Sequence, residues 1–123
     1  MNGLDVTDIS KLYKTRTALE PISLSVEEGK CIALCGGNGA GKSTFLNILA
    51  SISSPSTGTV LLNGINMVKQ KREYVSLIGY MPDEFYAQGE MSVEEFLCFY
   101  ADIRAVSKER TEEVITIMGL SDK

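Results

Sequence analysis

Gly36-Gly37-Asn38-Gly39-Ala40-Gly41-Lys42-Ser43-Thr44 constrains this chain more than any other stretch. Gly36 opens a phosphate-loop pattern, Gly37 to Ala40 fill its four free positions, and Gly41-Lys42-Ser43 closes it. The flanks agree with the pattern. Cys31-Ile32-Ala33-Leu34-Cys35 is a short apolar run of the kind that forms a buried strand. Phe45-Leu46-Asn47-Ile48-Leu49-Ala50 is apolar at 45, 46, 48 and 49, as a mostly buried helix should be. The alternative glycine fingerprint for dinucleotides, G-x-G-x-x-G, has no matching spacing here.

The residue types follow from the task of wrapping a polyphosphate. Backbone amides must approach the oxygens closely, and glycine removes the side chain that would block them. A helix starting near Gly41 points unpaired N–H groups and its positive dipole end at the anion. Lys42 is expected to reach the β- and γ-phosphates. Ser43 would offer its hydroxyl to Mg²⁺, and Thr44 would hold the loop or contact phosphate.

Composition narrows the partners. The 123 residues suffice for one modest core, and 44% apolar with 23% charged content is ordinary for a soluble globular chain. A net charge of −4 argues against a nucleic-acid partner. The absence of histidine removes His-based catalysis and metal ligation. No apolar stretch approaches the ~20 residues of a membrane span, and the N-terminus lacks a secretion signal. Three cysteines, Cys31, Cys35 and Cys98, are expected as buried free thiols in a reducing compartment.

Leu4, Val6 and Ile9 suggest a first strand over about Leu4 to Ser10. Tyr13 to Thr17 is a polar turn, and Ile22, Leu24 and Val26 alternate as a second strand antiparallel to the first. Ser53 to Gly58 is a loop, Thr59 to Leu62 a strand, and Asn63-Gly64 the turn that ends it. Lys69 to Glu73 reads as a solvated helical turn, and Ser76 to Met81 as a strand stopped by Pro82. Ser92 with Glu95 forms a capping box, with Met91 and Phe96 as its hydrophobic staple, and predicts a helix whose face is Val93, Phe96, Leu97, Tyr100 and Ala101. Ser107 is the next N-cap, Thr111, Val114, Ile115 and Met118 form the next stripe, and Gly119 suits C′.

At the phosphate loop the chain resembles the Walker A motif of ABC-transporter ATP-binding subunits, with Gly37 in place of the family's usual proline. Ser54 to Val60 is similar to the family's Pro-x-x-Gly-x-Val entry into its next strand, followed by Asn63-Gly64. The resemblance implies an α/β P-loop NTPase fold: an incomplete RecA-like core, an N-terminal antiparallel β portion and the start of a helical subdomain. Residues 1–90 would be the β-rich part and 91–123 the start of the helical part. Tyr13 occupies the place of the family's adenine-stacking aromatic; the plainer reading is an ordinary turn tyrosine.

Ile78-Gly79-Tyr80-Met81-Pro82-Asp83 resembles the strand and Q-loop of the family, with aspartate where glutamine is usual. ABC-2-type export branches are similar in carrying an acidic residue there. A carboxylate is a hard ligand suited to Mg²⁺, although Asp is one methylene shorter than Gln. The rival reading is a Walker B strand, in which Asp83 holds the magnesium shell and Glu84 is the general base. Gly79 and Pro82 break that strand pattern. Both readings put Asp83 near the metal, and with Lys42 it forms the expected catalytic pair.

The family's signature Leu-Ser-Gly-Gly-Gln is absent, no further Walker B strand follows, and there is no switch histidine. The expectation is therefore an N-terminal fragment of an ATP-binding subunit that binds ATP with Mg²⁺ but does not turn it over alone. The resemblance implies as partners a second ATP-binding subunit and transmembrane permease subunits. It places the protein in the cytoplasm, peripheral on the inner face of the cell membrane, with Phe85 to Glu90 in the part that faces the permease. Two other functions compete. A GTPase or small-molecule kinase would need an Asn-Lys-x-Asp motif or an arginine-rich lid, and neither is present. A non-catalytic interaction fragment would use the two helical stripes as contact faces.

Overall fold

The computed structural model describes residues 2–84 and 89–121. They form two compact units, Met1–Tyr80 and Met81–Lys123.

In the first unit, β1 (Gly3–Tyr13) and β2 (Arg16–Glu27) make an antiparallel hairpin. α1 (Lys42–Leu49) follows, then β3 (Thr57–Leu62), a two-residue β4 (Ile65–Asn66) and α2 (Lys71–Ser76). The sheet order is β2-β1-β3-β4, all antiparallel. The long edge strand, β2, carries Pro21, a residue without an N–H to give to a ladder and one that sheets confine to their edges.

Hydrophobic alternation in β1 is broken because the strand is bulged. Asp8 adopts a left-handed φ of 48° and the register shifts between Val6 and Ile9. Val6 and Ile9 therefore both point inward, at 3% and 0% exposure, although three residues apart. The bulge is held from both sides. The Asp8 amide donates to Ser23 Oγ at 2.8 Å, Ser23 Oγ donates to Asp8 Oδ1 at 2.9 Å, and Thr57 Oγ1 donates to the Asp8 carbonyl at 3.0 Å. Gly58 at φ 85° lies against it: a Cβ there would stand 2.3 Å from the Thr7 carbonyl oxygen. The glycine of the Pro-x-x-Gly-x-Val stretch is thus required by contact with the neighbouring strand.

α1 lays Phe45 and Ile48 on this sheet, where they join Val6, Ile9, Leu19, Val60, Met67 and Tyr74 in one core. Tyr74 is fully buried, and its hydroxyl donates to the Leu49 carbonyl at 2.7 Å. Burial raises its pKa above the ordinary tyrosine value. Gly41 caps α1 in a left-handed conformation, φ 95°. A Cβ on it would meet the Ala18 carbonyl oxygen at 2.8 Å and Leu19 Cδ1 at 2.9 Å. Glycine here lets the start of the helix touch the β2 backbone.

Two expected strands are absent. Residues 31–35 have no regular structure, and Cys31 and Cys35 are exposed rather than buried; Cys98 is partly buried. Of the expected Ser76–Met81 strand, Ser76 ends α2 and the rest is irregular. Both runs are apolar enough for a buried strand, but a strand exists only where a neighbour completes its ladder. Neither run has one among the described residues.

In the second unit, α3 (Val93–Ile103) and α4 (Lys108–Ile117) start where the caps indicate. Ser92 and Glu95 complete the capping box: the Glu95 amide donates to Ser92 Oγ at 3.2 Å, and the Ser92 amide to Glu95 Oε2 at 2.8 Å. These bonds hold the Glu95 carboxyl below the usual glutamate pKa. Thr111 and Ile115 are buried, Val114 partly so, while Met118 of the expected stripe is exposed. Of Phe85 to Glu90, residues 85–88 lie outside the described residues.

Three helices end in the same six-residue hydrogen-bond pattern. After α4, Gly119 N–H bonds Thr116 O at 3.1 Å and Leu120 N–H bonds Ile115 O at 3.0 Å. After α1 and α3 the left-handed position is filled by Ser51 (φ 59°) and Ala105 (φ 53°). Ser51→Gly and Ala105→Gly should each stabilise the chain by about 0.5–1 kcal/mol, read as a higher melting temperature. Gly41→Ala should cost about 2 kcal/mol or more, from the unfavourable φ and the clash with β2. The capping box has a pH signature. Because the folded Glu95 pKa is depressed, its contribution is full above the ordinary glutamate range and is lost as pH falls through the folded value. Circular dichroism on acidification below about pH 4.3 should therefore show helix loss in the parent chain that is reduced in Glu95→Gln.

Candidate functional site

The phosphate loop occupies residues 36–41, between an irregular apolar run and the first turn of α1. Its shape has three local causes. The Ala40 amide donates to the Gly37 carbonyl at 3.2 Å, which turns the chain back. The Phe45 amide bonds the Gly41 carbonyl at 2.8 Å, which starts the helix. Gly41 fixes the loop's end to β2. At the centre, the Lys42 ammonium donates to the carbonyls of Gly36 and Gly37, the latter at 2.7 Å.

Ser43 and Thr44 follow on the first turn of α1, with Ser43 exposed. No side chain caps this helix and its first turn holds no acidic residue. The first amides of a helix have no intrahelical acceptor, so this end presents donors and a positive dipole without a protein counter-charge. Positions that a Cβ would fill are open at Gly37 and Gly39. Loop, ammonium and helix end together form a rim of donors suited to an anion with several oxygens.

Tyr13 lies at the end of β1, opposite Arg16 across a two-residue turn, and is 53% exposed. Lys11 Nζ stands 4.9 Å from the centroid of its ring. Reading residue types at motif spacing missed Lys11; the available signal was its place two residues before Tyr13 on one strand. Tyr80, at the end of the first unit, donates from its hydroxyl to Asn47 Oδ1 on α1 at 3.0 Å. Asp83 and Glu84 follow in the second unit and are exposed. The structure thus places Gly36 to Thr44 on one loop and the helix turn that follows it and Tyr13 at the end of the hairpin strand, with Asp83 and Glu84 in the other unit. Among the described residues, no group of three or more Cys, Asp or Glu is arranged to hold a metal by itself, and no helix is long and apolar enough to cross a membrane.

Comparison with known proteins agrees with this geometry. The family profile "ABC transporter" matches residues 19–123. The uncharacterised ABC transporter ATP-binding protein YxlF of Bacillus subtilis is 36% identical over 112 residues, covering 91% of this chain and 36% of that protein. The bacitracin transport ATP-binding protein BcrA of Bacillus licheniformis is 30% identical, covering 95% of this chain and 39% of its own length. A solved structure described as the ATP-binding subunit of an ABC transporter superposes with a TM-score of 0.79 at 29% identity, over 91% of this chain and 47% of that one. The chain spans little more than a third of these curated relatives' length. The chain belongs to the ABC transporter family, as a partial ATP-binding domain with the cassette fold, an antiparallel N-terminal sheet and accompanying helices.

Proposed function

We propose that this chain binds ATP with Mg²⁺ through Gly36 to Thr44, as the phosphate-holding part of an ATPase that couples hydrolysis to transmembrane transport. The observation that carries the reading is the Lys42 ammonium, held inside the loop by the carbonyls of Gly36 and Gly37 at an uncapped helix start. Phosphate oxygens would take over from those carbonyls as acceptors, a favourable exchange because both partners are then charged. Lys42 orients the β- and γ-phosphates, and the amides of Gly39 to Thr44 spread around them. Tyr13 offers the exposed face of its ring to adenine.

Ser43 would offer its hydroxyl to Mg²⁺, which supplies charge neutralisation on the phosphates. A hydroxyl is a hard oxygen ligand of the kind Mg²⁺ takes, and a carboxylate such as that of Asp83 is of the same class. Residues 1–90 form the nucleotide-binding part in this reading and 91–123 the start of the helical part. A second ATP-binding subunit and membrane permease subunits are the partners, at the cytoplasmic face of the membrane. Support comes from the family and from relatives named as transport ATP-binding proteins. The acidic Asp83 favours an ABC-2-type export branch. The 123 residues contain no Leu-Ser-Gly-Gly-Gln motif, so the chain alone binds without turnover.

Calorimetric titration with nucleotides and Mg²⁺ tests the proposal. ATP should bind in preference to GTP, and Lys42→Ala should weaken binding by about 1.5–3 kcal/mol, the range of a hydrogen bond to a charged group. Tyr13→Ala should weaken ATP but leave tripolyphosphate unchanged. Preference for GTP, or indifference to Lys42→Ala, would overturn the reading. Steady phosphate release by the chain alone, lost in Lys42→Ala, would overturn the claim of binding without turnover.

A further inference from the structure

We infer that Lys11 is a positioning residue for nucleobase recognition, clamping the Tyr13 ring so that one face is covered and the other is left for the base. The inference rests on the reading of Tyr13 as the adenine platform.

Lys11 has two contacts that act together. Its ammonium lies over the Tyr13 ring, 4.9 Å from the centroid, within the range of a cation–π attraction. The same ammonium donates to the carbonyl of Ser54, in the loop that follows α1. A ring at the tip of a hairpin is thereby connected to the loop behind the phosphate-binding helix. The neighbouring bonds make that connection stiff. The Leu12 amide donates to Ser56 Oγ at 2.9 Å, Ser10 Oγ and Thr57 Oγ1 share a hydrogen bond of 2.7 Å, and the Ser56 amide donates to the Ser10 carbonyl at 2.8 Å. The strand end is held by residues 54–57 at successive positions, and Lys11 extends that hold to the aromatic side chain.

Tyr13 needs such a hold because it has little else. More than half of it is exposed, so packing alone does not select a ring orientation. Immobilising a free side chain on binding costs about 0.5–1.5 kcal/mol, and a ring fixed beforehand avoids part of that cost. A positive charge over one face also keeps a base from stacking there. Lys11 occupies one face of the ring, and the opposite face is the receptive one. Lys11 therefore acts on base binding through Tyr13 and has no role toward the phosphates.

The test compares the parent chain with Lys11→Met, Lys11→Arg and Tyr13→Ala, titrated with ATP and with tripolyphosphate, alongside NMR of the nucleotide-free chain. Lys11→Met should weaken ATP about two- to fivefold, the range of an exposed cation–π contact, and leave tripolyphosphate unchanged. Lys11→Arg should restore the affinity. In the free chain the Lys11 ε-methylene protons should be shifted upfield by the ring, and Tyr13→Ala should abolish the shift. Loss of ATP affinity in Tyr13→Ala with none in Lys11→Met would overturn the role of Lys11 while leaving the Tyr13 platform in place. Indifference of ATP binding to Tyr13→Ala would overturn the platform, and the inference with it. Equal weakening of ATP and tripolyphosphate by Lys11→Met would show a general charge effect and also overturn it. Absence of the upfield shift would remove its geometric basis.

Discussion

The seating of α1 on the antiparallel sheet is the contact on which the rest of the first unit depends. Phe45 and Ile48 are buried with Val6, Ile9, Leu19 and Val60, so the helix joins the continuous core of that unit. Gly41 sets where the helix begins, because its missing side chain lets the turn rest on the Ala18 carbonyl. A phosphate loop is a short segment with no core of its own. Its geometry is inherited from the strand and helix at its two ends, and here the helical end is the anchored one. Residues 31–35 at the other end have no ladder. The order of the loop is therefore drawn from β2, through Gly41, and from the Lys42 ammonium that gathers the Gly36 and Gly37 carbonyls.

The elements that were legible in the sequence are those with local causes. The capping box at Ser92 and Glu95, the cap at Ser107 and the stop at Gly119 act within six residues, so residue identity nearly determines them. The Asn63-Gly64 turn is of the same kind, with φ of 51° and 80°. Residues 31–35 and 76–81 fail for the opposite reason. Their apolar runs are correct for buried strands, but strand formation depends on a neighbour, and apolarity cannot say whether one is present. β1 shows a third case. Its alternation is interrupted at Asp8 by a bulge that Ser23 and Thr57 hold in place from strands on either side, so the cause lies 15 and 49 residues away.

The candidate site divides in the same way. Walker A is legible because wrapping an anion with amides leaves few alternatives at each position. The bonds of the Lys42 ammonium to the Gly36 and Gly37 carbonyls lie within the motif, but residue types alone do not state them. The contact of Lys11 with Tyr13 depends on the hairpin continuing past Ser10, where the expected strand ended, to Tyr13. Once the strand runs to that length, positions 11 and 13 fall close enough for an ammonium to cover a ring.

Apolar side chains that remain uncovered also form a pattern. α1 is apolar on more than the face it buries. Leu46 is 43% exposed and, with Leu49, lines a cleft of about 210 Å³ with Leu4, Leu62, Tyr74, Ile78 and Tyr80. Ile32 and Leu77, from the two runs without ladders, are exposed as well. A helix with one apolar face needs one layer; a helix with two is built to lie between layers. The sheet supplies the first layer here. The second face of α1, the 31–35 run and the 77–80 run share one physical condition: apolar side chains that the sheet of the first unit does not cover. The caps, turns and antiparallel sheet are well formed because they are satisfied locally or by the hairpin, whereas the strands expected at 31–35 and 76–81 require a neighbour on which to pair.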